Sequence, residues 1–156
     1  MLHIALYEPE IPPNTGNIIR LCANAGAKLH LIEPLGFEID DKRLRRAGLD
    51  YHELTNVTTH PDLDAFMTWR QSRRLFACTT KAKQHHYQAS YQDEDVLLFG
   101  PESRGLPNDV LSQLGDDFKI RIPMLPDSRS LNLSNATAII LYQAWQQIGF
   151  AGASQH

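Results

Sequence analysis

The sequence predicts an α/β fold in which a mainly parallel sheet carries helices on both faces. Strand-like apolar runs alternate with helix-like segments along the chain, and this is the order that βαβ units produce. Three of the runs end at Cys78, Phe99 and Ile122 and continue directly into turns. Because ligands bind beyond the carboxyl ends of parallel strands, we expect these three turns to face one crevice.

Apolar and β-branched content predicts six strands, over residues 2–7, 29–32, 53–58, 74–78, 95–99 and 118–122. The first helix is expected to start at Asn14 or Thr15 as its cap and to end at Gly26. A short basic helix over 40–48 follows, then a helix over 61–70 with Pro61 in its first turn, then one over 108–114.

The last helix follows Asn132, a residue type that favours the N-cap position, and is expected to end at Gly149. Its apolar side chains cover more than one face, and they are Ile139, Ile140, Leu141, Tyr142, Ala144, Trp145 and Ile148. An amphipathic surface helix needs only one apolar stripe. We therefore expect the second side to pack against another copy of the chain, which predicts a homodimer.

Length and composition predict a single domain over residues 1–150 and a frayed tail over 151–156. The chain has 156 residues and 42% hydrophobic content, enough to bury a core. It contains neither an apolar run of about 18 residues nor a basic and apolar leader. A cytoplasmic protein that does not cross a membrane is expected.

No metal site is predicted. Cys22 falls in a helical pattern and Cys78 at a strand end, so both are interpreted as buried apolar residues. The seven histidines are scattered, and the adjacent His85 and His86 have neither helical ligand spacing nor acidic neighbours.

The net charge of −3 gives no overall attraction to nucleic acid, but the cations are clustered. The clusters are Lys42, Arg43, Arg45 and Arg46, then Arg70, Arg73 and Arg74, then Lys81 and Lys83. A single cluster of this kind is usually a solvated helix face. Three clusters beside loops of an acidic chain favour a local polyanion site.

The loop after Phe99 resembles three known motifs but fits none of them. Leu106 and Pro107 stand where a P-loop needs Lys and Ser or Thr, which excludes NTPase chemistry. Ser103 is displaced from the nucleophile position of G-x-S-x-G. No G-x-G-x-x-G follows a strand. What remains is a glycine-bounded turn that brings backbone close to a flat, partly apolar ligand.

Three segments together carry a resemblance to a known family. They are N-T-G-N-I-I-R-L-C-A-N-A-G from residue 14, L-F-G-P-E-S-R-G-L-P from residue 98 and I-R-I-P-M-L-P-D-S-R-S-L-N-L-S-N-A from residue 120. In this order and spacing the chain resembles the SPOUT-class RNA 2′-O-ribose methyltransferases, and among them the small single-domain tRNA enzymes. The match runs from the first strand to the last helix and includes residues 41–52.

The resemblance implies a deep trefoil knot at the carboxyl end, a homodimer, and S-adenosylmethionine bound in a bent form within the knot. A knot is an exception to the rule that chains do not thread loops. Carried over position by position, the cofactor contacts are Cys78, Thr79, Gly100, Glu102, Gly105, Ile122, Met124, Ser130, Leu131 and Ala136.

The similar enzymes methylate the ribose of wobble nucleotide 34, cytidine or cmnm5-uridine, in the anticodon stem-loop of leucine tRNAs. The family's motif arginine matches Arg20, which is implied to reach the cofactor of the neighbouring subunit. It either grips the adjacent phosphate and steadies the developing alkoxide, or acts as the base. Ser130 and Asn132 match residues that orient the hydroxyl or Arg20, and Asn14 and Glu102 shape the same site.

A tRNA partner requires basic residues to converge on one face of the dimer, and the candidates are Arg43, Arg45, Arg46, Arg73, Arg74 and Lys81. Two alternatives remain open. One is a methyltransferase of the same class acting on ribosomal RNA or another tRNA position. The other is a non-catalytic RNA-binding module of the same fold.

Overall fold

The computed structural model describes residues 1–154, and these form one seven-stranded sheet. The strands are β1 (His3–Tyr7), β2 (Lys28–Ile32), β3 (Val57–His60), β4 (Leu75–Cys78), β5 (Gln84–His85), β6 (Val96–Phe99) and β7 (Lys119–Arg121). They lie in the order β3-β2-β1-β6-β4-β7-β5, and each neighbouring pair is parallel. The predicted parallel α/β sheet is confirmed. Residues 155–156, the end of the predicted tail, lie outside the described residues.

Six helices connect or flank these strands within residues 1–154. They are α1 (Pro12–Ala25), α2 (Asp41–Arg46), α3 (Tyr51–Leu54), α4 (Leu63–Arg70), α5 (Asn108–Leu111) and α6 (Leu133–Gln147). Two 3₁₀ turns occupy His86–Gln88 and Asp116–Phe118. None of the helices in the described part of the chain is long and apolar enough to cross a bilayer.

The helices cover both faces of the sheet, as predicted. Side chains alternate along each strand, so Leu97 of β6 joins a core shared with Ile18 of α1 and Ile140 of α6. Its neighbour Leu98 turns to the other face and joins a core with Phe66 of α4. Both faces of the central strands are therefore buried, which explains their nearly continuous apolar sequences.

Three predicted boundaries are wrong for identifiable local reasons. Helix α1 starts at Pro12 rather than behind a cap at Asn14 or Thr15, because two prolines in its first turn already have the helical φ. The strand predicted over 53–58 is instead α3 followed by β3, because Asp50 and Glu53 form a capping box. In α4 the side chain of Asp62 caps the helix, which leaves Pro61 outside.

Sequence reasoning missed β5. This strand has two residues, pairs only with β7 at the edge of the sheet, and is half-buried. Its sequence, Gln84 and His85, has no β-branched or apolar residue, so no local signal distinguishes it from a loop. β5 pairs with β7 through the position of β7 in the folded sheet and not through a signal in its own sequence.

The long last helix is confirmed, with the Asn132 side chain accepting a hydrogen bond from the Ser134 amide at 2.9 Å. One side of α6 is fully buried against the sheet and α1, through residues such as Ile140 and Ala144. The other side leaves Ile139 39% and Tyr142 42% exposed. A single copy of the chain thus covers only one of the two apolar sides of the helix.

A chain of three buried histidines lies under α4. The Glu94 carboxylate is 3.1 Å from Nε2 of His3, whose Nδ1 is 3.1 Å from Nε2 of His30. Nδ1 of His30 is in turn 2.9 Å from Nε2 of His60. Because a carboxylate only accepts, Glu94 fixes the Nε2 proton on His3, and the same tautomer then propagates through His30 and His60. The Trp69 ring packs against all three imidazoles.

We expect the free energy of unfolding to fall as the pH drops below about 6.5, the ordinary pKa of histidine. Burial lowers the pKa of His3, His30 and His60, and that of His30 to about 3, because a buried imidazolium loses its hydration. The unfolded chain then binds protons that the folded chain does not. For His30 alone the loss approaches ~1.4 kcal/mol per pH unit between these two pKa values.

Urea unfolding midpoints measured at neutral pH and at mildly acidic pH test this expectation. The matched variant is His30→Gln, which keeps a hydrogen-bonding side chain but cannot titrate, and its stability should depend less steeply on pH. An unchanged slope in this variant would assign the acid sensitivity to other groups.

Candidate active site at the carboxyl edge of the sheet

The three predicted turns do face one crevice. Residues 79–81 after β4, residues 100–106 after β6 and residues 122–132 after β7 together line a cavity of about 730 Å³ at the carboxyl edge of the sheet. That volume is within the range of cavities that bind a cofactor or drug-sized molecule. The start of α1 closes one side through Ile11 and Asn14.

All the residues predicted to contact a cofactor line this cavity. They are Cys78, Thr79, Gly100, Glu102, Gly105, Ile122, Met124, Ser130, Leu131 and Ala136. The apolar side chains of Ile122, Met124 and Leu131 form walls suited to the faces of a flat ring. Their role in binding stays a prediction, since the geometry only places them together.

Cys78 is a wall of the cavity and not a nucleophile. It is half-buried rather than fully buried as expected, while Cys22 is buried in the core as expected. Burial raises the pKa of the Cys78 thiol to about 12, because the thiolate would be poorly hydrated. The thiol therefore stays protonated near neutral pH and contributes contact surface only.

Gly100 is required by a close backbone approach within the cavity. A Cβ atom at this position would lie 2.4 Å from the carbonyl carbon of Gly105 and 2.4 Å from the nitrogen of Leu106. Gly105 itself has a φ of +70°, which other residues rarely adopt. The turn after β6 thus folds back on itself and exposes backbone groups to the cavity.

Glu102 holds the entry into α1. Its carboxylate accepts hydrogen bonds from the backbone amides of Glu10 at 2.9 Å and Ile11 at 2.7 Å, and from Nδ2 of Asn14 at 3.3 Å. The contact is reciprocal, because the Glu10 carboxylate accepts from the Ser103 amide at 2.9 Å and its hydroxyl at 2.7 Å. Glu102 therefore ties the cavity loop to the residues before α1, a contact that sequence reasoning did not specify.

Asn14 continues this network toward the last helix. Oδ1 of Asn14 accepts from Nδ2 of Asn132 at 3.0 Å, and Oδ1 of Asn132 in turn accepts from the Ser134 amide at 2.9 Å. The chain Glu102, Asn14 and Asn132 thus joins the starts of α1 and α6 at the cavity. These hydrogen bonds bring Asn14, Glu102 and Asn132 together at the cavity, and their role in shaping a catalytic site stays a prediction.

Arg20 does not reach this cavity within its own chain. Its Nε donates to Oε2 of Glu53 at 2.9 Å, and one terminal amine donates to the carbonyl of Gly48. Arg20 lies on a different side of α1 from Asn14, because six residues at 100° each leave them about 120° apart around the axis. The hydrogen bond that Arg20 donates to Glu53 raises the pKa of Arg20, so the guanidinium is held in its charged form.

The predicted basic residues do not all converge. Arg43, Arg45 and Arg46 are exposed on α2, and Lys81 lies at the cavity with its Nζ 2.7 Å from Oδ1 of Asn108. Arg73 and Arg74 instead precede β4, at the amino edge of the sheet.

Both of these arginines already have acidic partners. Arg74 makes two hydrogen bonds to the buried Asp95, at 2.9 and 2.7 Å, and Arg73 pairs with Glu94 at 3.2 Å. Sequence reasoning missed Arg121, which lines the cavity. Its position at the end of β7, beside the polar loop, was the available signal.

Groups of three or more His, Cys, Asp or Glu that could hold a metal ion do not occur within residues 1–154.

The fold and the cavity together define an α/β protein that binds an organic cofactor at the carboxyl edge of a parallel sheet. The model of the SpoU rRNA Methylase family matches residues 1–142. This chain belongs to that family.

Similar proteins agree with this assignment. The tRNA (cytidine(34)-2'-O)-methyltransferase of Escherichia coli strain K12 is 64% identical over 153 residues, 98% of each chain. A solved structure described as giving insights into the 2-OH methylation of C/U34 on tRNA is 43% identical, with 94% of this chain and 95% of that chain covered and a TM-score of 0.86. The SpoU methyltransferase AviRb of Streptomyces viridochromogenes, solved with AdoMet, is 25% identical, with 94% and 57% covered and a TM-score of 0.81.

Proposed function

We propose that this protein transfers the methyl group of S-adenosylmethionine to the ribose 2′-hydroxyl of wobble nucleotide 34, cytidine or cmnm5-uridine, in leucine tRNAs. The single observation that carries the proposal is the cavity of about 730 Å³, which gathers all the predicted cofactor contacts at one edge of the sheet. Near-full-length similarity to the E. coli tRNA (cytidine(34)-2'-O)-methyltransferase supports the substrate.

The residues at the cavity fit this cofactor. Ile122, Met124 and Leu131 offer apolar surface for an adenine ring, and the turn at Gly100 and Gly105 offers backbone groups at close range. When bound there, S-adenosylmethionine supplies an electrophilic methyl group on a positively charged sulfur. The attacking ribose oxygen forms a bond to that methyl carbon while the carbon–sulfur bond breaks, and the hydroxyl proton leaves to solvent or a base.

The protein contributes by aligning the ribose hydroxyl with the methyl group and by placing a positive charge near the RNA. In-line transfer requires the ribose oxygen to be held at ~3 Å from the methyl carbon. Asn132 is held by a hydrogen bond to Asn14, and Ser130 lines the same cavity, so we assign both to orienting the hydroxyl. Because Glu53 raises the pKa of Arg20, we assign Arg20 to gripping the adjacent phosphate and steadying the alkoxide rather than to removing the proton.

This role requires a second copy of the chain. Within one chain Arg20 lines a different cavity from the one that would hold the cofactor. The half-exposed side of α6, with Ile139 and Tyr142, provides apolar surface for a homodimer. We propose that Arg20 of one subunit completes the cofactor site of its partner.

The carboxyl end is proposed to be threaded as a deep trefoil knot. Support comes from family membership and from the loop over 122–132, which lines the same cavity as the turns after β4 and β6. A cytoplasmic location is proposed on the same basis, because the reaction needs the tRNA pool.

For the RNA surface we propose Arg43, Arg45, Arg46, Lys81 and Arg121. The exposed residues of α2 are suited to phosphates of the anticodon stem-loop, and Lys81 and Arg121 lie at the cavity itself. Arg73 and Arg74 are left out because they lie at the opposite edge of the sheet, before β4.

The test is incubation of the protein with tritiated S-adenosylmethionine and total RNA from a strain that lacks the activity. Label is expected in leucine tRNAs, with the blocked ribose mapped to nucleotide 34. Label confined to ribosomal RNA or to another tRNA position would contradict the proposed substrate. Absence of label in any RNA would contradict the proposed reaction, and binding of tRNA without turnover would favour an RNA-binding module.

A further inference from the structure

A second cavity of about 410 Å³ lies on the other side of α1, between this helix and residues 37–49. Its walls are largely apolar and include Pro13, Phe37, Ile39 and Leu44. Arg20 lies in this cavity. The cavity is therefore adjacent to the residue that handles RNA in the proposed function, although it is separate from the cofactor site.

Gly16 lines this cavity and has no local reason to be glycine. It occupies the interior of α1, where glycine is less favourable than alanine because the unfolded backbone has more freedom. A Cβ built at this position would meet nothing within 4 Å, and its φ is not in the left-handed region. Since neither space nor backbone conformation requires glycine in the single chain, a group that approaches the helix closely from the cavity would explain it.

The charge around the cavity indicates what kind of group this is. Arg20 and Arg43 stand at its edge, and the neighbouring α2 adds the exposed Arg45 and Arg46, which have no ion pair within residues 1–154. Glu38 is the acidic residue at the edge, and it is paired with Arg43 at 3.1 Å. An apolar slot bordered by arginines fits a flat aromatic group flanked by phosphates.

We propose that this cavity takes up an unpaired nucleobase of the RNA substrate, next to the nucleotide whose ribose is methylated. The proposal rests on the proposed function and adds a subsite to it. The half-buried Phe37 and the surface of α1 at Gly16 hold the base between them, while Arg20 and Arg43 face the flanking phosphates. One subunit thus provides both the base subsite and Arg20, and its partner provides the methyl donor.

The experiment compares Gly16→Ala with wild type for binding of a leucine tRNA anticodon stem-loop and of a fully paired RNA duplex. The added methyl group should stabilise α1 and raise Tm by about 1–4 °C. It should weaken stem-loop binding by about tenfold, because the base loses its close contact. Duplex binding, the Kd for S-adenosylmethionine and the dimer mass should not change. Gly115→Ala makes the same chemical change at an exposed turn and should alter none of these quantities.

Phe37→Leu provides a second test, since it keeps an apolar side chain and removes the ring. Stem-loop binding should weaken while duplex binding is kept. Unchanged stem-loop affinity in Gly16→Ala would overturn the proposal. Dissociation of the Gly16→Ala dimer into monomers would also overturn it, because the space beside Gly16 would then be filled by the partner subunit. These experiments measure RNA binding and do not depend on turnover. A failure of methyl transfer in the wild type would count against the proposed function, while the binding comparison would still test the base subsite.

Discussion

Replacement of Arg20 by alanine is expected to lower the rate of methyl transfer to tRNA by about 10²–10⁴-fold. The Kd for S-adenosylmethionine should stay within a few-fold of wild type. The physical reason is that the groups assigned to Arg20, the phosphate and the developing alkoxide, belong to the RNA and not to the cofactor, and that Arg20 lies outside the cofactor cavity of its own chain. Single-turnover methylation and calorimetric titration with the cofactor measure the two quantities independently.

Arg73→Ala is the control for this change. It removes an arginine from the opposite edge of the sheet, where the side chain pairs with Glu94 and stacks on Trp69. Its methylation rate should match wild type. If Arg20→Ala instead weakens cofactor binding as much as it slows transfer, Arg20 has a structural role and the assignment to the RNA side of the reaction is wrong.

The sequence predicts the strands whose side chains are buried, because burial requires apolar residues. Strands β1, β2, β4 and β6 lie in the middle of the sheet, so their sequences are largely apolar, whereas β7 alternates and buries only Ile120. The edge strand β5 lacks this signal, because its pairing with β7 is made by backbone groups that any sequence supplies. The region around Glu53 failed for a different reason, since a capping box of two side chains outweighed the strand propensity of the residues after it.

The sequence predicts which turns line the site but not the hydrogen bonds that connect them. Chain order and the rule for parallel sheets place the turns after β4, β6 and β7 at one edge, and the cavity there confirms it. Sequence spacing could not show that Glu102 bonds to the backbone of Glu10 and Ile11, because these residues are about 90 positions apart. Sequence spacing also could not show that Asn14 lines the cofactor cavity while Arg20 lines the second one.

The hydrogen bonds of Glu102 and Asn14 connect the cofactor cavity to the helix that carries Arg20. Glu102 and Asn14 connect the cofactor turn to α1, and α1 carries Arg20 at its other side. Under the proposed function, a displacement of the turn after β6 would therefore reach the helix that carries Arg20.

Gly100→Ala is expected to weaken S-adenosylmethionine binding by about 10–100-fold, the effect of forcing extra volume into a packed site. Its new Cβ would need to occupy space 2.4 Å from two backbone atoms of Gly105 and Leu106, so the turn has to move. Calorimetric titration with the cofactor measures the loss. Gly115→Ala adds the same methyl group where nothing lies within 4 Å and should bind the cofactor normally.

The same variant makes the shared site testable, because Gly100→Ala damages the cofactor cavity while Arg20→Ala damages the RNA side. At a concentration of S-adenosylmethionine well below the weakened Kd, each homodimer should be nearly inactive. A heterodimer of the two contains one composite site in which both the cavity and Arg20 are intact, so random mixing of subunits should restore about a quarter of wild-type activity. Co-expression with two affinity tags isolates the heterodimer for assay. If the mixed dimers stay as inactive as their parents, Arg20 acts on the cofactor of its own chain and the trans arrangement is excluded.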